Sequence, residues 1–197
     1  MSDKPNNESI EIPSLEQLEE EFKIEQHKTR FSQVLRSTVF SLVVVAAVVV
    51  LITLLLLPVL QITGSSMTET LYEGDIVIAM NGSDYDTGDI IAFYYNNNIL
   101  VKRVIAKSGD WVDIDTDGNV YVNGEKLEEP YLTEKALGDC NITLPYQVPE
   151  DKIFVMGDHR ATSIDSRNTA LGCISQELTI GKLVFRVWPL SGFGRVA

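Results

Sequence analysis

Val39-Phe40-Ser41-Leu42-Val43-Val44-Val45-Ala46-Ala47-Val48-Val49-Val50-Leu51-Ile52-Thr53-Leu54-Leu55-Leu56-Leu57-Pro58-Val59-Leu60 is an apolar block interrupted only by Ser41, Thr53 and Pro58. At about 1.5 Å of rise per residue, such a helix crosses a hydrocarbon core of roughly 30 Å. Pro58 falls in its last turn, where the lost hydrogen bond is best tolerated. The block is longer than the apolar region of a cleavable leader, no A-x-A-like site follows it, and a long acidic segment precedes it, so it reads as an uncleaved signal anchor. Lys28, Arg30 and Arg36 lie before the block. Glu69, Glu73 and Asp75 lie after it, with no lysine or arginine until Lys102. This bias predicts a single-pass protein in a cell membrane, its N-terminus cytoplasmic and the rest extracytoplasmic.

The chain divides on this reading into an acidic cytoplasmic segment (1–36), the anchor (37–60) and an extracytoplasmic domain (61–197). In the first part, Ser14 with Gln17 forms a candidate capping box, and Leu15, Leu18 and Phe22 recur at helical spacing. Beyond the anchor the pattern changes. The runs Asp75–Met80, Asp89–Tyr95, Ile99–Ala106, Asn119–Gly124, Ile153–Met156 and Leu183–Trp188 are short and rich in β-branched or aromatic residues. They predict a mostly β domain, punctuated by turns such as Asp117-Gly118 and Asn123-Gly124. With 197 residues and a net charge of -12, the chain has room for one anchor and one compact domain. That charge argues against a nucleic-acid partner. Cys140 and Cys173 both fall outside the membrane, where a disulfide is permitted but not required.

Three segments carry candidate chemistry. In Ile99-Leu100-Val101-Lys102-Arg103-Val104-Ile105, strand alternation sets Lys102 between Leu100 and Val104 on one face. If that face is buried, desolvation lowers the lysine pKa and the neutral amine becomes a general base. Taken alone, the segment better fits a lysine that snorkels from an edge strand to water. In Thr63-Gly64-Ser65-Ser66-Met67, Ser66 is a nucleophile in need of a base, and its backbone amide is a candidate oxyanion donor beside the permissive Gly64. In Met156-Gly157-Asp158-His159-Arg160-Ala161-Thr162-Ser163-Ile164-Asp165-Ser166-Arg167, the Asp and Arg residues at the two ends can cross-pair and fix the loop, and Ser163 can orient a buried amine.

Together these segments resemble the bacterial type I signal peptidases. Ser66-Met67-Thr68-Glu69-Thr70-Leu71 looks like that family's nucleophile box, Gly88–Phe93 like its next box, Lys102–Ile105 with Gly109-Asp110 like its lysine box, and Gly157–Arg160 with Ser163, Asp165, Ser166 and Arg167 like its last. Four boxes in order behind one anchor make a specific signal. The resemblance implies coiled antiparallel sheets with a small β insertion around 111–150. It implies Ser66 as nucleophile, Lys102 as general base, Ser163 positioning the amine, and Asp158, Asp165 and Arg167 supporting the cleft. It also implies a substrate cleft at Met67, Ile90, Ile91, Ala92 and Phe93, and no metal or organic cofactor. The implied partners are preprotein signal peptides, the lipid bilayer and the secretion translocon. The sequence departs from the pattern at Glu69 and Ser108, where proline is usual, at His159, where asparagine is frequent, and at Gly64, where some members carry a hydroxyl.

Rival readings remain. His159 lies in the last box and not at the base position, and His27 falls on the cytoplasmic side. Asp113-Ile114-Asp115-Thr116-Asp117-Gly118 opens like a calcium loop, but Gly124 stands where the pattern demands glutamate, and an acidic hairpin turn fits better. A membrane-anchored β domain that binds peptides without cleaving them is the alternative outside catalysis.

Overall fold

The computed structural model describes residues 15–82 and 84–196; Ser14, the first member of the capping box, and Ser83 lie outside the described residues. Two compact units make up the chain, divided between Ile52 and Thr53. One helix, α1 (Leu15–Leu56), makes up the described part of the first and ends just past the division. Its stretch Gln33–Leu51 is long and apolar enough to cross a membrane, with a mean hydropathy of 2.5. Phe40, Leu42, Val43, Val45 and Val49 are all exposed, so the helix is apolar around its circumference and not along one stripe.

The apolar block outlasts the helix. Pro58 is not in the last helical turn; α1 stops at Leu56, and Val59–Gln61 form strand β1. Proline removes a backbone donor and biases the preceding residue towards extended conformations, so the helix ends ahead of it.

In the second unit every strand pairing is antiparallel. The larger sheet is built from β1, β2 (Ile76–Met80), β3 (Ile90–Tyr95), β4 (Asn98–Ala106), β9 (Lys152–Met156), β10 (Ile174–Ser175), β11 (Thr179–Trp188) and β12 (Gly194–Arg195). Their order is β1-β2-β11-β3-β4-β9-β10, with β12 also on β11. The smaller sheet holds β5 (Trp111–Ile114), β6 (Val120–Val122), β7 (Glu125–Lys126) and β8 (Tyr146–Gln147), in the order β7-β6-β5-β8. The long strand β11 shifts register against β2 between Leu183 and Phe185 and again between Arg186 and Trp188. Such bulges bend a sheet and increase its twist.

Three apolar clusters hold this unit. Met67, Leu71, Val77, Ile90, Ala92 and Leu183 fill one. Ile91, Phe93, Val104, Ile153 and Val155 fill a second. The third joins the smaller sheet to the larger one: Val112, Ile114 and Val120 meet Ile105, Phe154 and Met156. Cys140 and Cys173 are both free thiols, and burial pushes the Cys173 thiol up from its ordinary value.

Candidate active site

The turn that carries Ser66 is pinned from both sides. Met67 is 2% exposed and Leu71 fully buried, so both side chains insert into the core. The Leu71 N–H donates to the Met67 carbonyl at 2.8 Å and the Thr68 N–H to the Ser65 carbonyl at 3.1 Å, while Gly64 takes a φ of +83°. Only glycine adopts that conformation freely. Ser66 is left half-buried between anchored neighbours, and its N–H makes no hydrogen bond among the described residues. An unpaired amide at an accessible serine is the donor an oxyanion requires. At Glu69 the backbone φ is +146°, a value that a proline, held near −65°, cannot reach.

Lys102 sits inside β4, paired to Ile91 of β3. It is not on an edge strand, since β9 flanks β4 from Arg103 onward, and the lysine is 3% exposed. Burial lowers its pKa from the usual lysine value to about 8; Asp165 and Asp158 pull it back up, and Arg167 pushes it down. The Lys102 Nζ donates to Ser163 Oγ at 3.0 Å, and Ser163 is itself 1% exposed.

Gly157 brings lysine, serine and turn together. A Cβ added there would lie 2.2 Å from Ser163 Oγ and 2.6 Å from the Ser66 carbonyl oxygen. The position admits no side chain, and that exclusion lets the segment around Gly157 close onto the Ser66 turn. The same carbonyl of Ser66 accepts from the His159 N–H at 3.1 Å, and the Ser163 N–H donates to the His159 carbonyl at 3.1 Å. His159 itself is exposed, its Nδ1 2.6 Å from Thr162 Oγ1.

The loop is held by buried ion pairs, but the two ends do not cross-pair. Asp158 pairs with Arg103, Nε to Oδ1 at 2.9 Å and Nη2 to Oδ2 at 2.7 Å, and also accepts from Thr70 Oγ1 at 2.5 Å. The register that sets Arg103 opposite Met156 carries Asp158 to that guanidinium. Asp165 pairs with Arg167, two residues on, at 2.8 Å through both oxygens, and accepts from the Gly157 N–H at 2.9 Å. Arg160 turns to Glu129 at 2.5 Å. Arg103 and Glu129 carry no role in the sequence reading, which pairs Arg160 within the loop, yet all three are buried and Arg160 pairs with Glu129 instead. Tyr131 lays its ring over the Arg103 guanidinium at 3.8 Å, and burial raises its phenol pKa strongly. Each charge is compensated, as burial demands.

Beside Ser66 runs a groove of about 270 Å³, lined by Val59 to Gly64, Ser66 and Met67 on one wall and Ile99, Leu100 and Val101 on the other. Met67 contributes to it. Ile90, Ile91, Ala92 and Phe93 do not: β3 lies between β11 and β4, and these side chains are core, at most 2% exposed. Both groove walls are open strand edges. β1 is the terminal strand of its sheet, and β4 lacks β9 ahead of Arg103. The acidic hairpin turn uses its own carboxylate: Asp115 accepts from Asn119 Nδ2 at 2.9 Å, from the Asn119 N–H at 2.8 Å and from the Asp117 N–H at 3.0 Å, which holds it below the usual carboxylate range.

Comparison with known proteins gives this geometry a family. A family model described as signal peptidase, peptidase S26, matches residues 35–188. Signal peptidase IB of Staphylococcus aureus (strain Mu50) is 40% identical over 154 residues, which is 67% of this chain and 78% of that protein. Signal peptidase I of Bacillus amyloliquefaciens is 37% identical over 142 residues, 65% of this chain and 72% of that protein. A solved signal peptidase I from Enterococcus faecalis V583 is 31% identical, with a TM-score of 0.42 over 51% of this chain and 97% of that one. The chain belongs to the signal peptidase family, peptidase S26, and is a peptidase.

Proposed function

We propose that this protein is a membrane-bound serine endopeptidase that removes N-terminal signal peptides from preproteins, with Ser66 as nucleophile and Lys102 as general base. The observation that carries the reading is the buried Lys102 amine, bonded to Ser163 Oγ, on the side of Gly157 where the Ser66 carbonyl also packs. At a pKa of about 8 a useful fraction of that amine is neutral near pH 7. On this reading α1 is the anchor, with the N-terminus cytoplasmic and the peptidase unit outside. All backbone polar groups of a helix are satisfied internally, as a bilayer requires.

The substrate enters the groove as an added strand, hydrogen-bonding the open edges of β1 and β4. The groove volume suits small side chains near the scissile bond. Ser66 Oγ attacks the scissile carbonyl while Lys102 takes its proton, and the Ser66 N–H donates to the developing oxyanion. The ammonium returns the proton to the leaving amine, which departs with the mature chain. Lys102 then activates a water that hydrolyses the acyl-enzyme. Ser163 fixes the amine throughout, and the Arg103–Asp158 and Arg167–Asp165 pairs hold the loop. Confinement of enzyme and preprotein to one membrane layer raises their effective concentration.

The test is incubation of the purified full-length protein with a preprotein, followed by mass spectrometry of the products. The expected result is one cut after a small residue just beyond the apolar leader, absent in Ser66→Ala. A folded Ser66→Ala that still cuts ends the proposal, and binding without any cut in the wild type favours a non-catalytic peptide-binding domain.

A further inference from the structure

The turn that carries Ser66 also borders a second depression, through Thr68 and Glu69. The depression measures about 210 Å³, and its lining includes Tyr131, Thr133, Glu134, Asp158 and His159. It shares no lining residue with the groove. The groove uses the chain up to Ser66 and Met67; the depression begins with the next residues of the same turn. His159, whose N–H grips the Ser66 carbonyl, forms part of its wall. A polypeptide whose N-terminal side fills the groove and whose scissile bond rests on Ser66 has its C-terminal side beyond the groove, and this depression borders the same turn.

Its charge is one-sided. Asp158 is neutralised by Arg103, and Arg103 is 1% exposed beneath the Tyr131 ring. Glu69 and Glu134 are both exposed, and no cation of the described residues pairs with either. Lys135 turns instead to Glu129 at 3.6 Å. The Glu69 carboxylate is also held in place: Thr133 Oγ1 donates to its Oε1 at 2.5 Å, leaving Oε2 open. A carboxylate already oriented loses less entropy on meeting a cation.

We propose that this depression receives the first residues after the scissile bond and favours a basic side chain there, with Glu69 and Glu134 as specificity-determining carboxylates. The proposal rests on the Ser66 reading, which fixes where the bond lies.

It is tested with three peptides, identical up to the scissile bond and carrying Lys, Gln or Glu at the two positions after it. Full-length wild-type enzyme is expected to cut them in the order Lys, Gln, Glu, with kcat/KM for Lys over Glu of roughly three- to tenfold, shrinking as salt is raised. In E69Q/E134Q the Lys-to-Glu ratio is expected to fall to about one, as loss of an exposed charge pairing requires. Equal cutting of Lys and Glu peptides by the wild type overturns the proposal without any variant. So does a ratio that survives in E69Q/E134Q. Neither result touches the nucleophile, which stands or falls separately on whether S66A loses all three cleavages.

Discussion

Lys102 and Lys107 belong to one stretch of chain, the first inside β4 and the second just past its end, and their chemistry runs in opposite directions. Lys102 is buried, its nearest hydrogen-bond partner is a neutral hydroxyl, and its pKa falls to about 8. Lys107 is only half-buried, paired to Asp86 at 2.8 Å, and its pKa rises, chiefly through that hydrogen bond. The residue type is the same. What differs is how deeply the amine is buried, and whether a carboxylate or a serine meets it. An acceptor that carries no charge leaves desolvation unopposed at short range, which favours the neutral amine.

Removing Lys102 should produce the largest effect. Lys102→Met is expected to lose activity by on the order of 10²- to 10⁴-fold, read as kcat/KM on a preprotein peptide. The same change should leave the fold intact and stabilise it below pH 8. Its buried charge costs roughly 1–3 kcal/mol there, after allowance for the Ser163 hydroxyl left without its partner. Urea unfolding at pH 6.5 measures this. Gain of stability with loss of activity separates a base from a structural lysine.

Glu129→Ala should rank next. Its side chain and that of Arg160 are both fully buried, and its loss strands a charge at about 3–5 kcal/mol. A thermal melt should show the drop, and Glu129→Gln should recover part of it. Gly157→Ala forces a methyl against Ser163 Oγ and the Ser66 carbonyl, with an overpacking cost of about 1–3 kcal/mol. Its activity should fall by more than its stability explains, because the displaced groups are the Ser163 hydroxyl that meets the Lys102 amine and the Ser66 backbone. Lys107→Ala should change neither activity nor melting temperature measurably, since its partner is solvent-exposed. An effect at Lys107 comparable to that at Lys102 would erase the contrast between them.

Much of this was legible in the sequence, for physical reasons that differ from one segment to the next. The membrane-length helix follows from composition alone, though its end does not: Val59 and Leu60 are as apolar as the helix, and only Pro58 marks the break before β1. Alternation around Lys102 identifies the apolar face but not the distant Ser163 that meets the amine in the core. Ile90–Phe93 reads as a strand, yet a wholly apolar run does not reveal which face meets substrate; here both faces are core. One wall of the groove begins with Val59 and Leu60, which read as the tail of the anchor block. Glu129 sits in an acidic run, Glu125 to Glu129, that looks like solvated surface. Only the tertiary fold brings Arg160 to it, across a separation that no local pattern records.

The central claim is that a neutral Lys102 amine accepts the Ser66 proton. It is tested most directly by the pH dependence of kcat/KM for the full-length enzyme on one preprotein peptide. A folded-state pKa of about 8 means that the active, unprotonated fraction grows as pH rises. Below that value the rate should climb about tenfold per pH unit, and above it the rate should level off. A profile that is flat from pH 6 to 9, or one that falls across that range, contradicts the account.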